Sequence, residues 1–188
     1  LRMFENSELM EAMYQSGFNQ VFIGLESPAA ESLKAMGAQK NLQASNEGGK
    51  KSMLEKVRDI QSTYFKGQAG FIIGFDADPH NIAELMKEFI DKSRISVAMV
   101  GPLGVLPDTP DWKRYSREDR LIEGVRYNGD SGLLSKELSY IPRYPDGSDM
   151  DPKIVLRRHR EVVQHINSPE NYFTRTLDYI THRERKPI

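Results

Sequence analysis

The chain has 188 residues, and its 26 Lys plus Arg nearly balance 27 Asp plus Glu. The formal net charge of −1 excludes a global attraction to nucleic acid or to an anionic lipid surface. The sequence contains no cysteine, which excludes disulfides and any thiolate-held metal or cluster and fits a reducing, cytoplasmic compartment; no apolar run approaches the ~20 residues of a membrane span.

Leu9, Met10, Met13 and Tyr14 recur at helical spacing and predict a first helix. Gln20–Gly24 is a short apolar run of strand length. It ends in Leu25-Glu26-Ser27, and Ser27-Pro28 reads as a helix start, a capping side chain followed by a proline that needs no amide partner. Residues 38–50 are polar and glycine-bearing and read as a loop. A second helical stripe follows at Met53, Val57, Ile60 and Tyr64.

Ala69–Gly74 predicts the second strand. Asp78-Pro79 then reads as the start of a helix that carries Ile82, Leu85, Met86, Phe89 and Ile90 on one face. Val97–Val100 predicts a third strand, and Thr109-Pro110 another helix start. All three strands are continuously apolar, as parallel strands buried on both faces tend to be. From residue 121 the pattern dissolves, and Tyr127–Asp149 shows no period. Asp151-Pro152 and Ser168-Pro169 then open two helices, roughly 152–166 and 169–183, with Val155, Val162, Ile166, Phe173, Leu177 and Ile180 expected to face inward, followed by a basic tail.

Alternating helices and strands predict right-handed βαβ units. The expected fold is α/β: a partial (β/α) barrel of about three parallel strands with helices over residues 1–120, then an irregular segment plus a helical C-terminal extension over 121–188. Three strands do not close a barrel, and an open parallel sheet leaves bare edges. An N-terminal partner half is therefore expected, supplied in cis or in trans, and Leu1 reads as an interior cut.

Chemistry in such folds sits at the carboxyl ends of strands. Glu26 and Ser27 occupy one such end, either as ligand groups or as a solvated strand end with a capping serine. Gly70 and Gly74 bracket the second strand, where glycine marks close packing or the approach of a ligand to bare backbone. Asp76 is open between a ligand role and a structural one, whereas Asp78 reads as a helix cap. Val97, Met99 and Val100 read first as core. Lys40 and Asn41 read first as solvated loop residues. The histidines at 80, 159, 165 and 182 show no ligand spacing, and the arginines of 157–160 read as a solvated helix face.

Taken in order, Gly17-Phe18, Val21–Pro28 and Gln39-Lys40-Asn41 resemble the fourth βα unit of radical S-adenosylmethionine proteins. Gly70–Asp78 is similar to the glycine motif of that family's fifth strand, and Val97–Gly101 with Leu106–Pro110 to its sixth strand and following loop. Ser168–Phe173 resembles the C-terminal helical extension of the subgroup that carries a cobalamin-binding domain and includes hopanoid-type methylases. The likeness implies methyltransferase-like chemistry and an S-adenosylmethionine site to which Glu26, Ser27, Lys40, Gly70, Gly74, Asp76 and Val100 contribute. It implies a [4Fe–4S] cluster and cobalamin in the parent protein only, because the family's three cluster cysteines have no counterpart here. On this resemblance the chain is the C-terminal part of such an enzyme, inactive alone. The alternatives are a stand-alone, non-catalytic ligand- or partner-binding half barrel and an unrelated barrel fragment. Neither nucleic acid nor a membrane span is implied.

Overall fold

A computed structural model describes residues 6–37, 51–125 and 137–183. Three strands, β1 (Gln20–Glu26), β2 (Lys66–Ile73) and β3 (Val97–Pro102), form one parallel sheet in the order β1-β2-β3. The helices are α1 (Ser7–Gln15), α2 (Ala30–Ala35), α3 (Met53–Thr63), α4 (Ile82–Ser93), α5 (Pro110–Arg117), α6 (Pro152–Asn167) and α7 (Pro169–Thr181). The expected α/β architecture with a helical C-terminal part is present. The segment 38–50, with Lys40 and Asn41, lies outside the described residues, as does 126–136 of the irregular segment.

β2 begins three residues earlier than its apolar run. Lys66, Gly67 and Gln68 pair with Gln20, Val21 and Phe22, so ladder hydrogen bonds recruit a polar stretch that periodicity leaves out. One face of the sheet carries Ile23, Leu25, Ala69, Phe71, Ile73 and Val100, all buried beneath helices. The other face is open: Phe22 is 58% and Met99 50% exposed.

Three of the five proline-marked helix starts have the expected cap. Thr109, Asp151 and Ser168 accept from Trp112, Lys153 and Asn171 respectively, with proline in the first turn. The other two differ. α2 begins at Ala30, because the Ser27 hydroxyl accepts from the Ala29 amide before the helix opens. α4 begins at Ile82, and Asp78 is drawn elsewhere.

α7 inverts the expected polarity. Val155, Val162 and Ile166 of α6 are buried as expected, but Phe173, Leu177 and Ile180 are 60–66% exposed. The face turned inward carries Arg175 and Tyr179. The Arg175 guanidinium donates to the Ile95 and Ile166 carbonyls and to Asp91, at 3.1, 2.6 and 3.2 Å. Satisfying these acceptors fixes the rotation of the helix and leaves its apolar stripe outward.

The two sheet edges differ. Leu103 donates to the Ile73 carbonyl, so alternate residues of β3, among them Val100, point their backbone groups away from β2. The Val100 carbonyl accepts instead from His159 Nε2 of α6 at 2.8 Å. α6 thus caps the outer edge of β3. Along β1 the same alternation turns the backbone of Gln20 and Phe22 outward, and no described strand pairs with them.

Candidate functional site

β1 and β2 run parallel, so Glu26 and the Gly74–Asp78 turn lie at the same, carboxyl end of the sheet. Around them stand two distinct arrangements.

The first is the open sheet face. Gly24, Gly70 and Met99 lie side by side across the three strands. A side chain at Gly70 would meet the Phe22 ring, whose Cζ lies 3.0 Å from the position of its Cβ. A bulge interrupts the ladder between Gly24 and Glu26, and Glu26 has a left-handed backbone with φ of 68°. Few non-glycine residues adopt that conformation. It returns the Glu26 carboxylate over Gly24, where Oε1 lies 2.6 Å from the place a Cβ would occupy. The carboxylate has no ionic or hydrogen-bond partner among the described residues, and partial burial raises its pKa.

The second arrangement is an ionic frame around Asp76. Its carboxylate accepts from Arg120 at 2.5 and 2.9 Å, from the Arg143 amide at 3.1 Å and from the Tyr115 hydroxyl at 3.4 Å. Glu118 joins Arg120 and Arg143 at 2.8 and 3.0 Å. Burial opposes the Arg120 charge, but the hydrogen bonds to Asp76 and Glu118 outweigh it and keep the guanidinium protonated. Burial and the neighbouring Asp76 hold Tyr115 in its neutral form.

Behind this frame, Gly74 has a φ of 108°, and its carbonyl accepts from the Tyr140 hydroxyl at 2.5 Å. A Cβ there would lie 2.6 Å from Tyr140 Oη and 2.9 Å from Val155 Cγ1, so close packing requires glycine. Asp78 is buried rather than capping a helix. It accepts from the Ser32 hydroxyl and the amides of Gly74 and Phe75 at 2.6, 2.7 and 3.1 Å, tying the turn after β2 to α2. Burial pushes its pKa up to about 6, against the opposing pull of these donors.

The structure therefore brings Glu26 and Gly70 to one open face. Ser27 is fully buried, Val100 points into the helix-covered core, and Gly74 and Asp76 are engaged by the frame. Lys40 lies outside the described residues. Reading by pattern misses Tyr115, Glu118, Arg120, Tyr140 and Arg143. Tyr140 and Arg143 come from the stretch without periodicity, and only tertiary folding carries them to Gly74 and Asp76. Among the described residues no group of three or more His, Asp or Glu could hold a metal ion.

The geometry defines a parallel α/β sheet with a half-buried carboxylate and bare glycine backbone near its carboxyl end. No family model matches the chain. It is 28% identical over 167 residues to a protein named hopanoid C-2 methylase from Rhodopseudomonas palustris, covering 88% of this chain and 30% of that protein. It is 30% identical over 141 residues to a protein named as an uncharacterized methyltransferase from Synechocystis, covering 75% and 24%. The chain is thus related to proteins named as a methylase and as a methyltransferase, and it spans less than a third of the length of either.

Proposed function

We propose that this chain is the C-terminal part of a radical S-adenosylmethionine enzyme of the methyltransferase-like kind, and that its open sheet face forms one wall of the S-adenosylmethionine site. The observation that carries this reading is the Glu26 carboxylate. It is half-buried, held over Gly24 by a bulge and a left-handed residue, and has no partner among the described residues. A carboxylate so placed gains a charge-assisted bond from a ligand ammonium or hydroxyl, which returns the counter-charge that burial removes. Beside it Gly70 lets a ligand approach bare backbone once the exposed Phe22 ring turns aside. The likeness over most of this chain to one protein named as a methylase and one named as a methyltransferase supports the same class.

S-adenosylmethionine, when bound, supplies the activated carbon chemistry. In this reading the chain's residues bind and orient it. The chain offers no thiolate, so an iron–sulfur cluster of the family's kind would be ligated elsewhere. The β1 edge is where further strands would join. α1 packs Met10 into the helix-covered core and leads directly into β1, as the second half of a right-handed crossover from a preceding parallel strand does. The capped edge of β3 directs growth to that side.

Calorimetric titration of S-adenosylmethionine tests the proposal, first into the chain alone and then into the chain with the N-terminal portion of the relatives supplied in trans. Binding should appear in at least the second case, and Glu26→Gln should weaken it about tenfold or more, the scale of one charge-assisted hydrogen bond. Absence of binding in both would sink the reading. A stable chain whose melting temperature ignores the added portion would favour a stand-alone binding protein.

A further inference from the structure

α7 turns its apolar side chains to the outside, and it is not free to rotate them inward. Phe173, Leu177 and Ile180 are 60–66% exposed, while Arg175 binds Asp91 and the Ile95 and Ile166 carbonyls from the opposite face. The three recur at i, i+4 and i+7, the spacing of a seam that packs one helix against another. Exposed Thr174 and Thr181 stand beside them, and side chains this small let a second helix come close.

Two features of the stripe say what covers it. The first is charge at its ends. Glu170 is exposed in the first turn, and Arg183 is exposed one residue past the C-cap. The described ion pairs of α7 are made by Arg175 and Asp178. The Arg183 guanidinium lies 5.9 Å from the centroid of the Tyr179 ring. The second feature is symmetry. Phe173 and Ile180 lie equally far on either side of a midpoint between Thr176 and Leu177, and so do Glu170 and Arg183. A two-fold axis through that midpoint sets α7 antiparallel to a copy of itself. Phe173 of each copy then meets Ile180 of the other, the two Leu177 side chains meet near the axis, and Glu170 of each meets Arg183 of the other. Every contact is made twice, as in an isologous interface. A parallel pair would set acid against acid and base against base, and would align the helix dipoles. Any other partner would have to carry the same order of acid, apolar stripe and base in reverse.

We infer that the outward face of α7 is a self-association surface. A second copy of this chain docks on it antiparallel through Phe173, Leu177 and Ile180, with Glu170 and Arg183 paired across the two-fold axis. A contact along one 13-residue helix is small beside the ~1,000 Å² or more of a stable interface. The dimer is therefore weak: it forms in concentrated protein, and dilute chain stays monomeric. α7 contributes nothing to the open sheet face where Phe22 and Met99 stand, so the association does not depend on S-adenosylmethionine binding.

Sedimentation velocity of the full chain over a concentration series tests this. The weight-average mass should rise from 21.5 kDa towards twice that value. Leu177→Glu places two carboxylates at the axis and should weaken association about tenfold or more. Glu170→Arg and Arg183→Glu should each weaken it about threefold or more, because each turns two attractive pairs into repulsive ones. Mixed in equal amounts, these two variants should associate with close to wild-type strength, since each supplies the charge that the other lacks. These charge variants decide the matter if Leu177→Glu does not fold. The double variant Phe22→Ser, Met99→Ser should associate as wild type does. A chain that stays monomeric throughout the series, an association that survives Leu177→Glu, or one that is lost with the Phe22 and Met99 changes overturns the assignment. So does a mixture of the charge variants no stronger than its components. Leu177→Glu that self-associates normally but no longer binds the N-terminal portion of the relatives also overturns it, by making the stripe an internal contact of a longer chain.

Discussion

Asp76→Asn separates a structural role from a ligand role for this carboxylate. Asp76 is the bidentate partner of Arg120, whose side chain is 3% exposed. Removing one member of a buried ion pair strands the other and costs ~3–5 kcal/mol. Arg120 retains Glu118 at 2.8 Å and the Ile141 carbonyl at 2.8 Å, so the expectation is the low end, about 3 kcal/mol. For a chain of this size each kcal/mol lowers the melting temperature by ~2–4 °C, which predicts a fall of ~6–12 °C. Circular dichroism melts, with refolding checked on cooling, measure it. Pairing the change with Arg120→Met should recover most of the loss, since a buried pair replaced by apolar groups is often close to neutral. Asp76→Asn with an unchanged melting temperature and lost S-adenosylmethionine binding would refute the structural account and make Asp76 a ligand.

Gly74→Ala should cost ~2–3 kcal/mol, because the new Cβ meets Tyr140 Oη and Val155 Cγ1 at a backbone angle that alanine resists; in a denaturant series, adding Tyr140→Phe should cost less than the sum of the two single changes. Asp78 gives stability a pH slope. Its folded pKa of about 6 lies above the ordinary 3.8, so the folded chain holds its proton longer and stability falls as pH rises through that window. The gap of about two units corresponds to at most ~3 kcal/mol, and Asp78→Asn should flatten the slope between about pH 4 and pH 6 in urea titrations. Leu177→Gln should change stability by under ~0.5 kcal/mol because the side chain is 62% exposed, whereas Arg175→Met should cost ~2 kcal/mol or more by leaving the Ile95 and Ile166 carbonyls without their donor; thermal melts distinguish the two.

Local rules decide much of this protein. Continuous apolar runs mark three strands, their alternation with helical stripes makes the sheet parallel, and Thr109, Asp151 and Ser168 show where helices open. These are short-range effects: one turn of helix or one strand carries enough period and capping chemistry to act alone. Ser27 and Asp78 look the same in sequence as those caps, but the tertiary structure decided their roles. Ser27 is buried and closes its own turn, while Asp78 is taken by Ser32, 46 residues away. The inward face of α7 was also decided at long range. An apolar stripe ordinarily turns to the core, but Arg175 reaches acceptors on three other segments, and a buried guanidinium with its bonds made holds the helix the other way. The same holds at the site. Sequence pattern places Glu26, Gly70, Gly74 and Asp76 at or near strand ends. Which of them faces open surface and which is locked against Tyr140 and Arg120 depends on residues 44 to 66 positions away, whose own stretches carry no local signal of where they pack.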